Sequence, residues 1–566
     1  MNRDATLPKA DAGKYLASPE LHALLMAMPV KERLRAILER EDARETVEAL
    51  SPQDFFFTVM ELGREDAIPL LTMARVQQLD LLFGLEWWGK DRVQPAKALE
   101  WIDLLARGSR RKLLEWLSHA DFELLVTLFK KWIHVAAAPE EIDPLEAMDQ
   151  LPANTLDDHF YWDARYPQHE DLLKNLLSIL FEVNRGFYTQ LLQHVIWASE
   201  AEMEEEAYRF HRGRMEDQAI PDFFDALEIY RAVSTREILP RQVGVMDSAI
   251  IDSPAPAFAF ALVPRGDLLA AAVRGIEDRG MRDTLQWELA ALANKVVTAD
   301  RMSLEAPETL RKAMDKAAAC VSLGMETLAM ETGVGAPEIV QTCFLEHLFR
   351  LGHSQAVQIR NRMQRILRTG WLSRWPHGLH CIDPEWNEAV ELLLEPTPRI
   401  LRQRSKTDTL KPAADHMRNR EDLRYGEALV AMIEALRKVY EALDPRADCL
   451  QAVIWYDGHI RGMEDVTIGA MVLTAAANCT WRRRWNLEPI VLGEWPDLFP
   501  RLVPEELAAT LFQGLNSWVA DNAEGHMLQN YMQPVLDAYA REMEPFLQER
   551  KVPDPRLVRF FLFRED

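Results

Sequence analysis

Cysteine is scarce in this chain, and what there is follows no pairing pattern: Cys320, Cys343, Cys381, Cys449 and Cys479 form an odd, widely spaced set without a CxxC. That argues against a disulfide framework and suits a reducing compartment, so the cytosol is the expected location. Positive charge is in short supply too. Lys+Arg number 65 against 89 Asp+Glu, a formal net charge of -24, which opposes approach to nucleic acid or to an anionic membrane unless basic residues are locally concentrated. Long apolar runs are missing. "PAPAFAFALVPRGDLLAAAV" is broken by Arg265 and Asp267, and "IGAMVLTAAANCTW" is shorter than the roughly 20 residues a bilayer crossing needs. No membrane insertion is expected. Residues 1–20 carry charge but no apolar stretch of signal-peptide length, and read as a mobile tail.

Catalytic signatures are absent as well. The sequence holds no GxxxxGK[ST], no strand-GxGxxG-helix unit, no GxSxG elbow, no kinase set and no HExxH, which removes the motifs that cradle phosphates or build common hydrolases. No histidine has a glutamate three residues before it, so the di-iron bundle signature is missing. Asn478-Cys479-Thr480 formally matches a glycosylation acceptor, but no export signal accompanies it.

What is present points to a globular, helical chain. Hydrophobic residues at 48% and charged residues at 27% are ordinary for packed domains. The 566 residues suffice for several folding units. From Leu21 onward apolar residues recur at helical spacing, broken by Ser51-Pro52, Gly84 and Gly108-Ser109. "LSPQDFFFTVMEL", "MARVQQLDLLFGL" and "LARGSRRKLLEWL" can be laid over one another, as expected for a superhelical array of helix pairs over 21–138.

A proline- and acid-rich stretch at 139–168 predicts a linker or short hairpin, with "DDHFYWDARY" as its extended part. A helical hairpin turning at Asn184-Arg185-Gly186 is expected within 169–239, then a helical domain over 240–395, a hinge at 396–421 and a C-terminal helical domain over 422–566. Few segments alternate strictly, so the expected class is all-α, an N-terminal array followed by helical bundles with little β structure.

Four groups of residues are candidates for function. In "LTMARVQQLDLLFGLEWWGKD", Leu79, Leu82 and Phe83 share one helix face, and Trp87 and Trp88 follow Gly84. With Trp101 these tryptophans either fill core volume or line a groove that holds a protein partner. In "EAEMEEEAYRFHRGRMEDQAIPDFFDALEIY", Arg209, Arg212 and Arg214 either pair with neighbouring acids or grip an anion. Arg482, Arg483 and Arg484 between Trp481 and Trp485 offer the same choice, and Arg360, Arg362, Arg365 and Arg368 form a further basic run.

"WPHGLHC" gathers His377, His380 and Cys381, with Asp383 beyond; imidazole and thiolate are ligands zinc prefers, although a fourth ligand must come from elsewhere. Cys343 and His347, at i, i+4 in "CFLEHLFRLGH", would share a helix face suited to chelation.

The stretch "LSPQDFFFTVMELGREDAIPLLTMARVQQLDLLFGLEWWGKD" resembles the helical-repeat N domain of MgtE-type magnesium transporters and, more distantly, the armadillo-like middle of the flagellar switch protein FliG. The likeness covers the first quarter of the chain and implies a superhelical interaction module. The acidic residues that bind magnesium in those transporters do not map residue by residue, so none is carried over. Through "TLDDHFYW", "EEEAYRFHRGRMEDQAIPDFFDALEIY" and "EHLFRLGHSQAVQIRNRMQRIL" the whole chain is similar to an uncharacterised bacterial family, which implies a cytoplasmic protein and no mechanism. The expected role is a cytosolic interaction scaffold with a protein partner; the alternatives are a metal-dependent enzyme at His377, His380 and Cys381, or an anion- or nucleotide-regulated adaptor.

Overall fold

The computed structural model describes residues 19–89, 91–138, 151–238, 241, 254–304, 306, 308–375, 378–402, 413–445, 450, 453, 459–460, 462–519 and 521–565. Helices dominate them, and the strands form only small sheets of two or three. The chain is all-α. It divides into two compact units, 1–350 and 351–566, a coarser partition than the sequence boundaries.

The first unit begins with a series of short helices, among them Pro52–Leu62, Val76–Trp87, Pro95–Gly108, Arg110–His119 and Phe122–Trp132. Their starts are written in the sequence. Ser51 accepts the Asp54 N–H with Pro52 in the first helical turn, and Ser109 accepts the Lys112 N–H, each satisfying a donor the helix itself leaves open. The Gln78 side chain accepts the Arg75 N–H at 2.8 Å and donates to the Val47 and Leu50 carbonyls at 2.8 and 2.9 Å. One buried amide therefore starts one helix and closes the end of another. Leu70, Leu79, Leu82, Trp101 and Trp116 lie in the continuous core these helices share.

The expectation of helix up to residue 138 needs correction at its end. Ile133–Ala137 is a strand, paired antiparallel with Phe160–Ala164, which in turn pairs with Asn154–Thr155. Ile133, Val135 and Ala137 alternate with the exposed His134, and Val135 stands opposite the buried Trp162. This period of two, only five residues long, was hidden beneath the strong helical period before it. The extended part expected in "DDHFYWDARY" is the middle strand of that sheet. The helical hairpin follows as Glu170–Val183 and Arg185–Trp197, with the Asn184 side chain accepting the Phe187 N–H at the turn.

The Gln53 to Glu61 side of the Pro52–Leu62 helix is covered by the chain's own later residues. Asp54 is fully buried and accepts the N–H groups of Ala257 and Phe258 at 2.8 and 2.7 Å, capping the Phe258–Ala261 helix. Phe258 packs on Phe57, with ring centroids 5.7 Å apart, and Arg311 pairs with Glu61 at 2.5 Å. Between Phe56, Leu81, Leu85 and Leu310 a cleft of about 40 Å³ remains, room for a few water molecules.

In the second unit, Arg399–Arg402 pairs with Ala413–His416 within the stretch expected as a hinge; residues 403–412 lie outside the described ones. Asp383 is buried at the start of the Ile468–Arg482 helix, accepting the Tyr531 hydroxyl at 2.7 Å and the Gly469 N–H at 2.8 Å. A Cβ on Gly469 would collide with that carboxylate, so the position requires glycine. Asn478 is buried within the same helix, its amide donating to the Asn486 and Glu488 carbonyls.

Candidate functional site

The Glu200–Asp217 helix brings together more of the sequence candidates than any other described element. Glu200 and Glu202 in its first turn complement the helix dipole. Its inner face is the series Ala207, His211 and Met215, all buried, at i, i+4 and i+8. That face lies over Gly84. A Cβ there would stand 2.8 Å from the Met215 Cε and 3.3 Å from the His211 Nδ1, so the glycine that interrupts "LLFGLEW" is what lets the helix approach.

His211 stacks on Trp88, centroids 4.8 Å apart and planes 12° apart, with Tyr208 tilted against the same indole at 5.5 Å. Trp88 is held by the Trp88–Gly89 and Arg92–Val93 strand pair, and the Val93 N–H donates to Glu204 at 3.1 Å. Lys131 bridges Glu200 and Glu204 at 2.9 and 3.4 Å. Beyond His211, Arg214 pairs with Asp121, and the Trp116 indole donates to Asp80 at 3.1 Å.

Burial, and then the nearby Arg214, push the His211 imidazole down to about 4. Burial raises the Asp80 carboxyl to about 6 against the pull of Arg214. The charged forms of both groups are penalised for the same reason, burial between the Glu200–Asp217 helix and the helices it packs on.

The three tryptophans separate. Trp87 and Trp101 are core residues: Trp87 stacks on Phe83 with centroids 4.4 Å apart, and Trp101 donates to Glu86 at 3.2 Å beneath the Arg64 guanidinium. Neither faces solvent. Trp88 is half-buried, and its contacts are with this chain's own helix. The volume-filling alternative describes this geometry.

The arginines separate too. Arg212 pairs with Glu216 at 2.9 Å and Asp222 at 2.8 Å, while Arg209 is exposed without an ion pair among the described residues. Arg482 pairs with Glu488 and Glu494 at 3.3 and 2.5 Å. Arg483 is the left-handed C-cap (φ 59°) of the Ile468–Arg482 helix, and Arg484 is exposed beside it. Cations at a helix C-terminus complement the negative end of its dipole, which accounts for them without an anion.

In "WPHGLHC", His380 is exposed, while Cys381 is buried and donates its Sγ hydrogen to the Gly378 carbonyl at 3.3 Å. Burial, and then the nearby Asp383, push that thiol up. His377 lies outside the described residues. The expected Cys343–His347 pair is corrected: Cys343 is an extended C-cap after Ala336–Thr342, whereas His347 belongs to the helix that starts at Leu345. They do not share a helix face. Among the described residues no three His, Cys, Asp or Glu side chains gather as a metal site, and no helix is long and apolar enough to cross a membrane.

The outer face of Glu200–Asp217 was not singled out in the sequence. Glu202, Glu206, Phe210, Gly213 and Asp217 are all exposed and fall on one stripe at spacings of four, four, three and four. The pattern was legible once the helix was granted, but exposed positions give no hydrophobic period to announce them.

No curated protein and no solved structure matches the chain. A family model described as a family of unknown function (DUF6178) matches residues 12–564. Spanning nearly the whole length, that match makes this chain a member of the DUF6178 family.

Proposed function

We propose that this chain is an interaction protein, a helical scaffold that presents the Glu200–Asp217 helix to a protein partner. One observation carries the reading: Phe210 is 50% exposed on the outward stripe of a helix whose opposite face is locked down by His211, Met215 and three charged bridges. A rigid helix with a bare aromatic is the kind of anchor interfaces use. The partner surface thus moves from the tryptophans to the far side of the helix they support. A superhelical arrangement of the first helices, and the likeness of that quarter to MgtE-type N domains, fit a part that acts by holding.

The test is co-purification from the native cell of the wild-type chain and of Phe210→Asp, compared by quantitative mass spectrometry. At least one protein should be retained by the first and lost by the second. Identical sets, or nothing retained by the wild type, would overturn the reading.

A further inference from the structure

Gly213 is a glycine with no structural reason visible in its own chain. It sits inside the Glu200–Asp217 helix, where glycine weakens the helix relative to alanine. Three other glycines inside helices do have a cause: Gly84 admits Met215 and His211, Gly426 admits Met417 and Ile359, and Gly514 admits the Trp485 ring. A Cβ on Gly213 would meet nothing within 4 Å. What a bare glycine on an exposed stripe does offer is close approach to another backbone.

Phe210 and Gly213 are one turn apart, and carboxylates flank them along the same stripe: Glu202 and Glu206 on one side, Asp217 on the other. None of the three is in an ion pair among the described residues. The spacing is that of a helix–helix seam, with an aromatic knob, a flat spot for the crossing and charge at both ends. A second copy docking by the same stripe would set carboxylates against carboxylates, so self-pairing there is disfavoured.

Resting on the interaction reading above, we infer that the partner element is a cationic amphipathic helix that crosses the stripe at Gly213, takes Phe210 into its apolar face and sets Lys or Arg against Glu202, Glu206 and Asp217. The excess negative charge of the whole chain, -24, steers such a segment inward.

The test uses the full chain and two synthetic helical peptides of 18 residues, one of leucine and lysine and one with glutamate in place of each lysine. The cationic peptide should bind and the anionic one should not. Phe210→Ala and Gly213→Gln should each weaken binding by about tenfold or more. Gly213→Gln should at the same time raise the thermal midpoint by roughly 1–2 °C, so lost binding cannot be put down to misfolding. Equal affinity of wild type and both variants would mean diffuse electrostatic adsorption and overturn the inference, as would absence of binding. A chain that retains a native partner through Phe210 yet ignores the cationic peptide would overturn this choice of partner while leaving the interaction reading standing.

Discussion

Acidification should loosen the Glu200–Asp217 helix through one histidine. His211 is buried, its Nδ1 has no hydrogen-bond partner, and its ring is stacked on Trp88. Tyr208 and Arg214 of its own helix flank it, Trp88 stacks on it from the opposite side, and Arg214 is in turn paired with Asp121. Protonation therefore places a second cation beside Arg214 without a new acceptor.

The folded-state value of about 4 lies below the ordinary 6.5. A histidine depressed in this way contributes stability that is present above 6.5 and is lost as pH falls through 4. The difference corresponds to about 3 kcal/mol. Asp80 titrates in the same region with the opposite sign, so the wild type alone would mix the two.

His211→Phe keeps a flat ring on Trp88 and cannot titrate. Urea unfolding of both proteins between pH 7.5 and 4, with hydrogen exchange read over residues 200–217, gives the difference directly. The wild type should lose about 3 kcal/mol relative to the variant across that range. Parallel curves would refute the reasoning.

Asp383 should behave inversely in the second unit. Burial raises it from 3.8 to about 6, so its contribution is fully present below 3.8 and lost as pH rises through 6, about 3 kcal/mol in all; Asp383→Asn should flatten that slope in urea titrations. Removing the Asp54 carboxylate by Asp54→Ala strands the Ala257 and Phe258 N–H groups and should cost about 2–5 kcal/mol by chemical unfolding. Gly84→Leu should drive the Glu200–Asp217 helix off its seat, at about 1–3 kcal/mol, with faster exchange over 200–217 than over 309–332. Arg483→Ala should remove a cation from a helix C-terminus and leave phosphate affinity, read by calorimetry, unchanged, with at most about 1 kcal/mol lost in stability.

The helical class was legible because residues such as Phe55, Leu79 and Leu82 repeat at the helical period and Ser51 and Ser109 mark where helices start. The turn at Asn184 was legible for the same kind of reason, a side chain that caps the helix after it. The strand at 133–137 was not, since five residues of alternation cannot compete with the helical signal running into them. The Cys343–His347 face failed because a helix break falls between them, at a place without proline or glycine to announce it.

The site was legible in parts. Trp88 and the charged 200–230 stretch were both singled out, but nothing in the sequence says that Trp88 meets His211, because the contact is made by tertiary packing. For the basic clusters the sequence left ion pairing and an anion grip both open; the structure supplies Glu216 and Asp222 as partners of Arg212, and Glu488 and Glu494 as partners of Arg482. Gly213 carried a signal that only a coordinate could interpret, an unfilled space above a helix interior.

Hydroxyl-radical footprinting of Phe210 inside the native cell, set against the purified chain, tests the interaction account most directly. Phe224, 77% exposed, serves as the internal reference. The account predicts that the Phe210 to Phe224 labelling ratio drops severalfold in the cell, where a partner covers the stripe. An unchanged ratio would contradict it.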